Sequence, residues 1–312
     1  MATAIIRRFF TLIAVLWGAA TLTFIALKLI PGDPVLILSG GDSVVDDAYR
    51  AVLTAQFGLD KPVWLQYLRY CGQALIGHFG DSYQYRAPVI QVIGAALGQT
   101  LQLALCALLL ALSLAILNAL ATAGRWHTLR ACFATLELCL LSTPVYWIGI
   151  ILLSLFSFHL QWFPVMGNDG WQSLVLPVIA LSLPLTAILS QVLRDGLEEA
   201  LTQPFALTVR TRGASETLLR LRHGLRHSAL AISTLTGTLL ANVLSGSILT
   251  ETVFGRVGLG KITLNAIASR DMPLVLGLVM LSALLFVVIN LLVDALYLII
   301  DPRLRTRSVQ DE

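Results

Sequence analysis

The sequence predicts an all-α polytopic membrane protein with six transmembrane helices and a small helical region outside the membrane after the first. Three observations predict it. Charged residues are 12% of the 312 positions and apolar ones 57%, about half the charge of a soluble domain. The apolar residues gather into runs of about 20, the length that crosses a bilayer as a helix. Most of the 21 Lys and Arg fall in the two ends of the chain and in alternate segments between those runs, the asymmetry that places such segments inside.

The elements follow in chain order. Arg7 and Arg8 precede an apolar run from Phe9 to Ile30, interrupted late by Lys28. The run is too long for a signal peptide and no small-residue cleavage site follows, so it reads as an uncleaved first span with a cytoplasmic N-terminus. Pro31-Gly32-Asp33-Pro34 ends it, which sets 1–31 apart as the first unit of organisation. Residues 32–95 are the longest polar region and read as extracytoplasmic. Asp46 to Arg69 has helical spacing, and Trp64, Leu65 and Leu68 share one side. A small helical cap is the preferred reading there, and Trp and Tyr placed at the membrane interface the alternative.

Residues 96–312 read as the transmembrane core. Leu97–Ala123 is the second span, and Gly124–Arg130 a short basic inner loop. Ala131–Leu160, the third span, contains Glu137. That carboxylate is either functional or a hydrogen-bonded structural group near the inner end. Gln161–Ser173, with two Trp, Pro164 and Gly-Asn-Asp-Gly, suits an interfacial turn. The fourth span, Leu174–Leu193, carries Pro177 and Pro184, which kink a pathway-lining helix or bend a packing one. The fifth, Ala229–Thr250, is rich in small residues that allow close packing or line a polar path. Pro177, Pro184, Gly237, Asn242 and Ser245 are the pathway candidates. Glu251–Pro273 is the last outer loop; its glycines lack the spacing of a phosphate-binding loop. Leu274–Ile300 is the sixth span, where Asn290 and Asp294 are one turn apart and Asp294 reads as structural. Both termini then lie in the cytoplasm.

Arg194–Ser228 stands out as a basic inner loop, with six Lys and Arg between two apolar runs. Gln203-Pro204 starts a short helix, on which Phe205 and Val209 share a face. Gly213 ends it as a C-cap would, and Ser215 is placed to cap a second helix. In that second helix Leu218, Leu221 and Leu225 share a stripe, Arg222 and Arg226 stack elsewhere, and Arg220 falls on the solvated side. A plain positive-inside loop and an amphipathic helix on lipid are the competing readings.

The stretch Phe205 to Leu230, FALTVRTRGASETLLRLRHGLRHSAL, resembles the "EAA" loop of ABC importer permeases of the oligopeptide, dipeptide and nickel branch. Phe205, Thr208, Arg210, Arg212, Gly213, Ser215, Arg222, His223, Leu225 and Arg226 carry the match, while Leu207 replaces the usual Arg and Ala231 the usual Pro. Further blocks are similar to the same family. They are PGDP, GLDKPVWLQYLRY, GHFGDSYQYRAPV, LGQTLQLAL, STPVYWIGIILLSLFS, ETVFGRVGLGK and NLLVDALYLIIDPRLR. In the ETVF block, Arg256-Val257 replaces the usual Trp-Pro. The resemblance implies a type I ABC importer permease fold in the bacterial inner membrane. It implies a coupling helix docked on an ATPase, with Phe205, Thr208, Val209, Arg210, Arg212, Gly213 and Ser215 in the coupling loop. It implies a second homologous permease subunit, two ABC ATPase subunits that hydrolyse the ATP, and an extracytoplasmic substrate-binding protein. No cofactor is expected on this chain itself, and its other contact is membrane lipid rather than nucleic acid.

Three classes of function compete. An enzyme needs a nucleophile–base pair, paired metal-binding histidines or a phosphate loop, and the sequence displays none, so no catalytic or metal-ligating residue is expected. A self-sufficient secondary transporter usually shows internal repeats or several intramembrane charges; only Glu137 and Asp294 offer themselves. The permease subunit is the reading that the resemblance implies, since its blocks follow in order over nearly the whole chain. For its substrate, the gapped string LQW-P-MG-GWQ-LP around Gln161–Gln172 resembles nickel-type permeases. Nickel or a chelated metal is therefore the preferred cargo, with dipeptide or oligopeptide import as the alternative.

Overall fold

In the computed structural model, residues 2–29, 47–57, 60–124 and 127–300 are described. Expectations that fall elsewhere, PGDP and the side chains of Ser245 and Asp294 among them, lie outside the described residues or side chains. The described residues are helical, with one isolated antiparallel bridge between Asp81 and Pro88. The helices are α1 Ala2–Leu29, α2 Asp47–Phe57, α3 Val63–Leu75, α4 Val89–Thr122, α5 His127–Ser142, α6 Val145–Leu152 and α7 Gln172–Thr202. They continue as α8 Pro204–Thr211, α9 Glu216–Leu218, α10 Leu225–Gly246, α11 Ile248–Val253, α12 Leu259–Ala268 and α13 Met272–Ile300. A π-helical turn, Leu153–His159, extends α6, and another, Leu219–Gly224, joins α9 to α10.

Among the described residues, four stretches are long and apolar enough to cross a membrane: Val89–Thr122, Gln172–Thr202, Glu216–Leu244 and Met272–Val293. The pair His127–Ser142 and Val145–His159 makes a fifth if it is one broken span, because it bends by 99° between its halves. The apolar stretch of α1 is shorter, Ile13–Ala26. The sequence pattern places the third span straight through this break. Pro144 explains the difference. It has no N–H to donate, and its ring drives Thr143 out of the α region, so an apolar run that looks continuous is cut in two. The fourth span differs at its other end. Nothing breaks the helix after Leu193 until Gln203-Pro204, so α7 runs on past the end of the apolar run to Thr202.

The chain divides into two compact units. The first contains the described residues of 1–98 with 258–287. In it α3 lies along α1: Thr21 Oγ1 and Tyr67 Oη are 2.7 Å apart, Lys28 Nζ donates to Gln66 Oε1 at 2.6 Å, and Phe24 stacks edge-on to Tyr67. Lys28, an interruption of the apolar run in sequence, is thus provided with a polar partner. Trp64 and Leu68 of α3 face outward. The apolar core of this unit is built by Val89, Ile93, Leu259, Ile262, Leu274 and Leu278.

The second unit contains the described residues of 99–257 with 288–312. Its main core is made by α4, α7 and α10, with Leu103, Ala107, Ala111, Leu185, Leu189 and Leu239 buried. Alanines line the buried face of α4 at Ala104, Ala107, Ala111, Ala115 and Ala119. Small side chains at helical spacing let neighbouring helices approach closely. A second cluster seats α6 on α7 and α11 through Ile148, Leu153, Leu176, Ala180 and Phe254.

Candidate functional site

In the segment 194–228 the two helices expected about Gly213 are present, preceded by the last turns of α7. Gln203 is extended and Pro204 opens α8 at its first position, where a missing N–H costs nothing. Gly213, at φ +82°, ends it. The N–H of Ala214 donates to Val209 O at 3.3 Å and that of Gly213 to Arg210 O at 3.0 Å. This double closure needs a left-handed residue at its centre, which glycine adopts without strain. Ser215 Oγ then accepts from the N–H of Leu218 at 3.3 Å and caps the next helix. Across the turn Arg210 donates from Nε and Nη2 to the two oxygens of Glu216 at 2.7 and 3.4 Å. That guanidinium holds the Glu216 carboxyl below the usual carboxylate range and is itself raised by the same bond. The tie is therefore complete at neutral pH and is lost only as pH falls through the lowered Glu216 value.

The apolar face of α8 is divided between the chain itself and solvent. Phe205 is half-buried, its ring 6.0 Å from that of His227 and 6.5 Å from that of His223. Val209 is half-buried and Ala206 fully buried. Thr208, Arg210, Arg212, Gly213 and Ser215 are exposed, and Leu207 is 65% exposed. So the residue that departs from the family's usual Arg is the most outward apolar group of the helix. The second helix departs from the sequence pattern because of the π turn Leu219–Gly224. The extra residue shifts the phase of the face: Leu219 and Arg220 turn inward, while Leu218 and Leu221 stay exposed and Leu225 is half-buried. Arg220, expected on the solvated side, is only 6% exposed.

Arg194, counted among the basic loop residues, is buried too. It donates from Nη2 to Glu137 Oε1, and from Nε to Thr122 Oγ1 at 3.1 Å. Asn118 Nδ2 donates to the same Glu137 oxygen at 2.8 Å. The partner of the intramembrane carboxylate is thus a residue just past the apolar run. The rule that such a group has a named partner was the available signal. Apolarity alone does not point to it, because the apolar run ends at Leu193, one residue before Arg194.

At the opposite end of the same unit, Glu251 Oε1 accepts from Thr100 Oγ1 at 2.6 Å and Ser247 Oγ at 2.9 Å. Arg256 is 1% exposed and donates to Ser173 O at 3.3 Å and Gln99 Oε1 at 3.0 Å. Burial lowers its pKa, and the nearby Glu251 opposes that. In the first unit Asp271 caps α13, accepting from the N–H of Leu274 at 3.2 Å, and also holds Ser82 Oγ at 2.5 Å and the N–H of Gln84 at 3.1 Å. Aspartate two residues before Pro273 is a helix-start signal that the sequence reading left unused.

Pro177 is buried and Pro184 half-buried within a continuous α7. Gly237 packs against α13, where a Cβ would stand 2.0 Å from Val293 Cγ2. Asn242 is exposed. Among the described residues no group of three or more His, Cys, Asp and Glu is placed to hold a metal ion.

A family model described as "Binding-protein-dependent transport system inner membrane component" matches residues 115–306, and its N-terminal companion matches residues 1–104. The chain is 33% identical over 308 residues to the glutathione transport system permease protein GsiC of Salmonella paratyphi A, covering 98% of this chain and 99% of that protein. The protein of the same name from Escherichia coli K12 is 31% identical over the same span and coverage. Among solved structures, the inward-facing MetNI methionine ABC transporter is similar with a TM-score of 0.54 at 15% identity, over 68% of this chain and 97% of that one. An amino acid ABC transporter gives 0.51 at 13% identity, over 66% and 92%. These two likenesses show the fold alone.

Proposed function

This chain belongs to the family of binding-protein-dependent transport inner membrane components, and on that premise we propose that it carries peptides, small glutathione-like ones in particular, into the cell. The coarser reading is a membrane permease component of an ABC importer, not an enzyme. One observation carries the finer one: the end-to-end similarity to permeases named for glutathione transport. The nickel preference rested on the short stretch Gln161–Gln172 and gains no support from these relatives. The peptide alternative replaces it.

In this reading the chain crosses the inner membrane six times with both termini inside, α1 and the broken α5–α6 pair included. It pairs with a second homologous permease to enclose the pathway. A binding protein delivers substrate outside, and two ATPases act inside. α8 and the turn at Gly213 meet an ATPase groove, so ATP binding in a partner shifts the permease between two states. Leu207 and Val209 supply apolar surface to that contact, Arg210 and Ser215 hold the module's shape, and Thr208 and Arg212 form its rim. Asn242 and Ser245 are assigned to the pathway, while Gly237, Pro177 and Pro184 shape the helices beside it.

The test is uptake in a strain lacking this gene, with and without a plasmid copy. Loss of labelled glutathione or dipeptide uptake, restored by the plasmid, supports the proposal. Unchanged peptide uptake with reduced nickel, cobalt or zinc content overturns it.

A further inference from the structure

α5 and α7 are joined by two charge pairs of opposite polarity. Arg194 of α7 is bonded to Glu137 of α5, with side chains 5% and 3% exposed. One turn further along α7, Glu198 accepts from Arg130 of α5 at 3.0 Å and from the N–H of Gly124 at 3.5 Å. Arg194 and Glu198 are four apart and share a face, as do Arg130 and Glu137, seven apart. The two helices therefore run antiparallel, and the order of charge, plus then minus on α7, meets its complement on α5. Sliding either helix until Glu198 reaches Glu137, or Arg194 reaches Arg130, opposes like charges. One register alone satisfies both pairs.

Stability does not explain the inner pair. Glu137 Oε2 and Asn118 Oδ1 are buried without a hydrogen-bond partner among the described residues. A buried ion pair with an unsatisfied oxygen is commonly matched or bettered by well-packed apolar groups of similar volume. Setting register is the best-attested use of such a pair. Position adds to this. α7 continues from Arg194 to Thr202 without a break and is followed directly by α8. On the other side, Glu137 is two turns ahead of the bend of 99° at Thr143-Pro144, beyond which α6 packs on Phe254 through Gly149 and Ile148.

We propose that Arg194 is a positioning residue for transport. Paired with Glu137, it locks the register of α7 on α5, so that displacement of α8 moves both helices as one piece and is taken up at the Thr143-Pro144 break. This rests on the reading of α8 as the ATPase-docking helix. An unpaired Arg194 slips against α5, and the motion of α8 then dissipates before it reaches α6.

The experiment uses the whole complex, purified through a tagged permease and reconstituted in vesicles, with cell uptake measured in parallel. The double variant Arg194→Met/Glu137→Leu keeps volume and removes the charge. The expected result is native permease level and native ATPase recovery, with uptake lowered on the order of ten-fold and ATP consumed per substrate raised to match. Arg194→Lys, which keeps the charge, is expected to restore part of the coupling. Native uptake and native ATP cost in the apolar pair at native level overturn the proposal. If the apolar pair does not accumulate, Glu137→Gln, which keeps shape and an acceptor, decides in the same way: reduced coupling at native level supports the lock, unchanged coupling overturns it. Failure of the native tagged permease to recover any ATPase is a different result, which sinks the docking reading itself.

Discussion

Arg220 is placed by sequence on a solvated face and by the structure inside. A buried arginine contributes through its stem as well as its charge. Arg220→Ala is therefore expected to cost on the order of 2 kcal/mol, whereas Arg222→Ala, exposed in the next turn, stays within about 0.5 kcal/mol. Thermal unfolding of the two purified variants in detergent checks this; equal midpoints contradict the inward position. Gly237 shows the same kind of limit. Its sequence neighbourhood reads equally as packing or as a polar path, and only the approach of Val293 separates the two. Gly237→Leu is expected to lower the amount of folded permease, so a bulky probe of the pathway belongs at Asn242 instead, where Asn242→Trp should block uptake at unchanged protein level. What residue patterns miss here is one extra residue in a π turn and one close contact between distant helices. Neither leaves a trace in spacing.

At the scale of the element, α8 with its caps was legible almost whole: Pro204 at the start, Gly213 at the end and Ser215 beyond each do what their chemistry dictates. The length of α7 was not, because apolarity stops at Leu193 while helix-forming residues continue to Thr202. The break in the third span was not legible either, since one proline in an apolar run reads equally as a kink. Docking is tested on α8. Phe205→Ala removes an aromatic that packs on His223 and His227, and so perturbs the module as well as its outer face. Leu207→Ala perturbs the outer face alone. Both, with Gly213→Pro, are expected to weaken ATPase recovery through a tagged permease, Leu207→Ala at unchanged permease level. An anchor of that kind is worth on the order of 2 kcal/mol in docking. Full recovery with all three variants would leave 194–228 as a basic inner segment and no more.

For the whole molecule, composition and charge placement announce a membrane protein, and the ordered blocks announce its family. The side on which each segment lies is argued from the charge distribution alone, and of the arginines in the segment 194–228, Arg194 and Arg220 prove buried. Orientation is checked by labelling single cysteines with an impermeant reagent: Ser43→Cys is expected to react from outside and Ser215→Cys only from inside. The reverse pattern contradicts both termini being cytoplasmic. The substrate was the least legible property, because the stretch that favoured nickel is short and the similarity that favours peptides is spread over the whole chain. The most direct test of the account is accumulation of labelled glutathione in vesicles holding the permease pair, the ATPases and the binding protein. The account predicts accumulation that requires hydrolysable ATP on the ATPase side and ceases when the binding protein is withheld. Accumulation by the permease alone, driven by an ion gradient without ATP, would contradict it.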